Sequence, residues 1–388
     1  MFARRTNWNL ATNRYTQAVE AHQKSGRTLL DLTASNPTTS ALRYDENRLL
    51  DALRNPASLT YQPVAKGLPS AREAIAEYYR QVGVDVAPEQ LLLTTSTSEA
   101  YTFCFRLLCE SGDEVLVPTP SYPLFDFLAE LQDVRLVPYE LVYDHGWQID
   151  FHSLEQRLTE RTRAVIVVHP NNPTGSFVKP EEAAQLNTLS RDRELAIIAD
   201  EVFLDYRIGQ QPSHSFAAND QCLTVTMSGL SKISGLPQMK VAWIAVSGPE
   251  EASREALARL EVIADTYLSM NAPIQHALPA MLAERRSIQQ QLSARVETNL
   301  AELDHQLDSQ KLVTRLEIEG GWYAILRVPA VRSDEELAIE LIERCDVLVQ
   351  PGHFYDFRSD GYLVVSLITP ASTFCEGISR VLKYIARS

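Results

Sequence analysis

Between residues 70 and 246 the chain alternates short, almost wholly apolar runs with stretches of helical spacing. The runs fall at 91–95, 114–118, 134–139, 164–168, 196–200, 224–228 and 241–246, and helices are read at 98–110, 180–191 and 249–267. Strands buried on both faces are continuous in Val, Ile and Leu, and a strand–helix–strand order forces parallel neighbours. The pattern predicts an α/β fold: a large, mostly parallel seven-stranded sheet with helices on both faces. One long polar-rich helix is predicted over 271–307 as a connector. Strands at 313–319, 322–328 and 362–366, with helices at 334–344 and 375–386, then give a smaller α+β domain. The expected division is residues 1–55 packing with the small domain, 56–270 as the large domain, and 271–388 as connector helix and small domain.

At 388 residues the chain is too long for one small core, which agrees with two domains or one large domain and a satellite. Its net charge of −14 repels a phosphate backbone, so nucleic acid is not an expected partner. Cys104, Cys109, Cys222, Cys345 and Cys375 are scattered without CxxC spacing. They read as reduced thiols, and neither a disulfide framework nor a metal site is expected. The first thirty residues hold no continuous apolar run, and no segment reaches the length of a membrane span. A cytoplasmic protein with no membrane partner is the expectation.

Four motifs follow predicted strands, and ligands of open α/β sheets bind at the carboxyl ends of strands. TTSTSEA (94–100) starts a helix whose free N–H groups favour an anion, with Ser96, Thr97 and Ser98 adding hydroxyls; a plain N-cap is the simpler reading. HPNNPTG (169–175) is a forced turn in which Asn172 is either a turn residue or a donor to a ligand oxygen. IIADEVF ends an apolar strand on Asp200 and Glu201, where a buried carboxylate needs a cationic partner unless the strand end is exposed. SGLSKISGLPQMK (228–240) centres Lys232 in a small-residue loop, where an amine either attacks a carbonyl or is merely solvated.

The order NNPTG, ADEV, SGLSK resembles the class I/II aminotransferases, fold-type I pyridoxal 5'-phosphate (PLP) enzymes, and the resemblance runs over nearly the whole chain. Tyr61 to Gly67 followed by LPSAREAIAEYY resembles the family's tyrosine-to-glycine segment, and Pro120, Ser121, Tyr122, Pro123 resembles its Pro-x-aromatic-Pro. The resemblance implies that Lys232 holds the cofactor aldehyde covalently and then shuttles a proton, while Asp200 pairs with the pyridine nitrogen. It implies that Asn172 donates to the ring's 3' oxygen and that Tyr122 stacks on the ring. Ser96, Thr97, Ser98, Ser228, Ser231 and Lys240 would surround the phosphate. Tyr61 resembles the tyrosine that reaches the phosphate from a neighbouring subunit, which implies a homodimer with shared active sites. Asn36 and Arg358 are candidate substrate contacts.

Four positions depart from the family pattern. Lys240 stands for an arginine and loses its bidentate fork, Ser96 for a glycine, and Phe203 for a tyrosine. Val364, in GYLVVS, stands where an arginine commonly holds the substrate α-carboxylate; Arg358 and Arg327 are the alternative anchors. The leading expectation is amino-group transfer between an amino acid and a 2-oxo acid. Other PLP-dependent carbanion chemistry on an amino acid or amine, such as decarboxylation or elimination, is the alternative, and a non-catalytic PLP-binding regulator is the third reading.

Overall fold

The computed structural model describes residues 1–122, 125–209 and 214–387. Helix Arg14–Lys24 leads into a two-residue strand, β1 (Leu30–Asp31). The large sheet then comprises β2 (Leu91–Thr94), β3 (Glu114–Thr119), β4 (Arg135–Tyr143), β5 (Trp147–Ile149), β6 (Thr162–Val168), β7 (Ala196–Asp200), β8 (Thr224–Gly229) and β9 (Ala242–Ser247). Their spatial order is β2-β9-β8-β7-β6-β3-β4-β5. The strands β8, β7, β6, β3 and β4 are mutually parallel, β9 runs antiparallel between β8 and β2, and β5 folds back on the end of β4.

The predicted seven strands are all present, and β5 makes an eighth. Trp147 and Ile149 are buried while Gln148 is exposed, so β5 alternates instead of being continuously apolar. A search for unbroken apolar runs passes over such a strand. Every residue of β2, β3, β7, β8 and β9 is buried. Helices Thr97–Leu108 and Glu250–Thr266 cover one face through Phe103, Phe105 and Leu260, while Pro69–Gln81 and Ala272–Ala283 cover Leu91, Leu93 and Trp243 on the other.

The smaller sheet is built from β10 (Thr314–Arg315), β11 (Tyr323–Arg327), β13 (Gln350–Pro351) and β14 (Tyr362–Ser366), all antiparallel in the order β10-β11-β14-β13. Ahead of β13, β12 (Val347–Leu348) pairs in parallel with β1. Helix Arg14–Lys24 packs on Asp334–Cys345, whereas helix Glu46–Ala52 packs on Ala272–Ala283.

Two expectations need correction. The single helix over 271–307 is two helices, Ala272–Ala283 and Arg285–Asp308, meeting at Glu284. Arg285 donates to the Leu282 carbonyl at 2.8 Å, satisfying one of the carbonyls that the break leaves open. The first helix docks on Pro69–Gln81 and the second on Ala371–Ile385, so the bend serves two packing partners. The strand over 313–319 pairs only at Thr314–Arg315. Beyond Leu316 the backbone leaves the small sheet for the large domain, where Glu319 N donates to the Gly175 carbonyl at 3.2 Å and Ile208 N to the Glu319 carbonyl at 2.7 Å.

Candidate active site

Sheet register brings the four motifs together. Ala242, the first residue of β9, faces both Thr94 at the end of β2 and Gly229 at the end of β8. The cup after β2, the loop around Lys232 and Lys240 just before β9 therefore share one edge. Parallel register also aligns Val168, Asp200 and Met227. Asn172, which follows β6, lies beyond the same edge, and Tyr122 follows the end of β3 by three residues. Pro123 of the Pro-x-aromatic-Pro motif lies outside the described residues.

Asp200 is 8% exposed, and burial pushes its carboxyl up to about 6. Against this act the Val202 N–H at 3.1 Å, the Tyr101 hydroxyl at 3.1 Å and the charge of Lys232. Burial brings Lys232 down to about 8, with Asp200 opposing. Its Nζ lies 5.1 Å from the Trp322 ring centroid and 5.5 Å from that of Phe203. The Tyr206 hydroxyl donates to the Lys232 carbonyl at 2.7 Å and fixes the backbone that carries the amine.

The turn after β6 is held by Asn171, whose Nδ2 donates to the Pro120 carbonyl at 3.0 Å and to Thr174 Oγ1 at 2.9 Å. Gly175 closes it with φ +68°; a Cβ there would come within 2.5 Å of the Gly320 carbonyl. With Asn171 taking the structural bonds, the Asn172 side chain is left over, and its buried Oδ1 has no partner. Behind the edge, His169 Nδ1 accepts from Val178 N at 3.0 Å, so Nε2 carries the proton donated to the His214 carbonyl at 2.9 Å. Burial drives its pKa to about 3, and the ring is neutral. Glu201, pushed up to about 8 by burial, accepts from Ser215 Oγ at 2.7 Å and Phe216 N at 2.6 Å.

In the TTSTSEA segment the N-cap reading holds for Ser96. Its Oγ accepts from Glu99 N at 3.2 Å, and Glu99 Oε2 accepts from Thr95 N at 2.6 Å. The Ser96 hydroxyl proton and the first N–H groups of helix Thr97–Leu108 remain donors toward the edge. Thr97 is half-buried and Ser98 exposed. Ser228 is buried with its Oγ 3.4 Å from the Glu201 carbonyl, Ser231 is half-buried, and Lys240 is exposed at φ +54°. Tyr61 is 74% exposed.

The candidate substrate contacts are engaged elsewhere. Asn36 Oδ1 accepts from Thr38 N at 3.0 Å and Thr38 Oγ1 at 2.8 Å, capping a short turn. Arg358 pairs with Glu140 on β4 and lines a cavity with Ser121, Tyr122 and Asp356. Arg327 is exposed at the end of β11, and Val364 is fully buried. Sequence reasoning missed Tyr101, Tyr206 and Trp322. Tyr101 carried a usable signal: it stands one helical turn after Thr97, on the first helix to leave the edge.

The chain belongs to the family Aminotransferase class I and II, whose pattern matches residues 9–373, and it is an aminotransferase. It is 26% identical over 378 residues to the glutamate-pyruvate aminotransferase AlaA of Haemophilus influenzae, covering 94% of this chain and 92% of that one. The same-named protein of Escherichia coli K12 is 31% identical over 268 residues, covering 69% of this chain and 66% of its own. The structure of an alanine aminotransferase from Pyrococcus furiosus superposes with a TM-score of 0.88 at 23% identity, covering all of both chains. It shares the fold.

Proposed function

We propose that this aminotransferase works with PLP bound at the edge shared by β7, β8 and β9, with Lys232 as its covalent anchor and proton carrier. The observation that carries the reading is Lys232 within electrostatic range of the buried Asp200 carboxylate, at an edge that also holds an Asn172 side chain whose Oδ1 is buried and unpartnered. A buried carboxylate with a raised pKa fits a ligand that brings a positive charge, and an orphaned amide fits one that brings an oxygen. When bound, PLP supplies an electron sink conjugated to the substrate α-carbon.

Asp200 would hold the pyridine nitrogen in its charged form, with Tyr101 and the Val202 N–H fixing the carboxylate. Lys232 Nζ, lowered toward neutrality, gives up and takes back a proton near physiological pH. Phe203 and Trp322 line its surroundings and keep water away. Asn172 would direct its amide to the ring oxygen and Tyr122 its ring to the cofactor face. Ser96, Thr97, Ser98, Ser228, Ser231 and Lys240 supply donors and charge for the phosphate. The exposed Tyr61 supports a homodimer in which it serves the neighbouring site. Among the described residues no helix is long and apolar enough to cross a membrane, and a cytoplasmic location accords with the five free thiols.

The relatives' names make alanine, glutamate, pyruvate and 2-oxoglutarate the first substrates to try. Borohydride reduction of the holoenzyme followed by peptide mapping should place the cofactor on Lys232. L-alanine or L-glutamate should bleach its visible band, and the matching 2-oxo acid should restore it. Label on another lysine, or bleaching that no 2-oxo acid reverses, would overturn the reading.

A further inference from the structure

Val364 stands where the resemblance places a carboxylate-binding arginine, and the register of the small sheet fixes its neighbours. It faces Ile325 across β11 and Gln350 across β13, and two residues further on Ser366 faces Tyr323. Directly opposed residues of antiparallel strands share a face. Gln350, Val364, Ile325, Tyr323 and Ser366 therefore make one wall.

Val364 and Ile325 at the centre of that wall are fully buried, and its two ends, Gln350 and Tyr323, are linked to the loop that carries Tyr122. The Tyr355 hydroxyl donates to Gln350 Oε1, and the Tyr355 carbonyl accepts from Ser121 N at 3.0 Å, one residue before Tyr122. The Ser35 side chain partners the Tyr323 hydroxyl. Tyr122, Tyr323 and Tyr355 lie within electrostatic range of one another, and Tyr122 within range of Asp200. The Tyr122 hydroxyl is raised by burial and by Asp200, the Tyr323 hydroxyl by burial and by Tyr122, and the Tyr355 hydroxyl by burial and by Tyr323, Tyr122 and Tyr15. Burial pushes the Tyr323 hydroxyl up to about 12 and the Tyr355 hydroxyl well above its ordinary value, so both carry their protons. Because Oε1 of Gln350 takes the Tyr355 proton, its Nε2 hydrogens are left as donors.

We propose that Tyr323 and Gln350 receive the substrate carboxylate through neutral hydrogen bonds, in place of an arginine, with Tyr355 as the positioning residue that orients the Gln350 amide. The inference rests on the Lys232–Asp200 reading above. Neutral donors bind a carboxylate less tightly than a bidentate guanidinium and attract it little from a distance. The enzyme should thus hold amino acids and 2-oxo acids with modest affinity that changes little with ionic strength.

Charge reversal separates recognition from architecture. Gln350→Glu keeps an acceptor for the Tyr355 hydroxyl but sets a negative charge against the substrate carboxylate. In single-turnover bleaching of the holoenzyme by L-alanine and by L-glutamate, Gln350→Glu should raise the apparent Kd more than about tenfold with the limiting rate held within about threefold. Tyr323→Phe should raise it roughly tenfold and Tyr355→Phe less. Should Gln350→Glu fail to fold, Tyr323→Phe carries the same comparison. Unchanged Kd values, or losses confined to the limiting rate, overturn the inference. Borohydride trapping on the same preparations keeps the two levels apart: label on Lys232 with unchanged Kd refutes this inference alone, and no label on Lys232 refutes the reading beneath it.

Discussion

The wall at the end of the large sheet and the wall of the small sheet are made in opposite ways. The large-sheet wall holds ionisable groups in burial deep enough to shift them: Asp200 to about 6 and Lys232 to about 8. The small-sheet wall, Gln350–Val364–Ile325 with Tyr323 and Tyr355, presents hydroxyls, an amide and aliphatic carbon. The first wall keeps the family's Asn172, Asp200 and Lys232 while departing from its pattern at Ser96, Phe203 and Lys240, and the second departs from it at the arginine. Chemistry at the α-carbon needs a fixed set of charges, whereas a carboxylate that only has to be held in place can be met by whatever donors a small sheet offers.

The largest test of this contrast is Lys232→Ala, which should cut turnover by roughly ten-thousandfold, since it removes both the covalent anchor and the proton carrier. Single-turnover assays at saturating substrate check it. Asp200→Ala should cost roughly a thousandfold by the same assay, as the loss of a charge aimed at the reacting system does.

The stability of the cofactor-free protein should move the other way. The folded pKa of Asp200, about 6, lies above the unfolded value of 3.8. The unfolded chain therefore loses its proton first, and this group lowers stability as pH rises from about 4 to about 6. Asp200→Asn should match wild type in urea melts below that window and exceed it by about 1–3 kcal/mol above it. Equal melts at neutral pH would show that the carboxylate is not strained by burial.

Two further substitutions should have small effects. Arg358→Ala, which breaks an exposed pair with Glu140, should leave the apparent Kd for L-alanine within about threefold of wild type. A larger rise specific to carboxylate-bearing substrates would move the anchor to Arg358 and erase the contrast. The smallest expected effect is that of Phe203→Tyr. A hydroxyl placed there stabilises an anionic ring oxygen, so the pH midpoint of the cofactor's visible band should fall by about one unit or less. An unchanged midpoint would mean that another donor already serves that oxygen.

The large-sheet wall could be read from sequence because its parts are contiguous. Strand, turn and functional residue follow one another in NNPTG, ADEV and SGLSK, and parallel strands of similar length bring their ends level. The small-sheet wall could not. Gln350 and Tyr323 come to share a face only through pairings with β14, and two-residue strands such as β1, β12 and β13 carry no periodicity to detect. The helix break at Glu284 was hidden for a related reason: glutamate is no helix breaker, Pro279 inside the first half does not end it, and only the separate docking partners bend the chain. Tyr101 was missed because a buried tyrosine on a helix looks like core until the carboxylate it meets, 99 residues on, is known.

The pairing of β1 with β12 sets a timetable for synthesis. Leu30 and Asp31 leave the ribosome early, yet Val347 and Leu348, the residues they pair with, emerge more than three hundred residues later. Tyr15 waits as long for the Val349 carbonyl, and His22 for Asp346. At translation speeds of about 5–20 residues per second the N-terminal segment spends roughly 15–60 s without its partner strand. The large sheet, whose strands all lie within residues 91–247, can assemble in that interval. The small sheet and the strand pair β1–β12, by contrast, cannot be completed until β14 and β12 are in place.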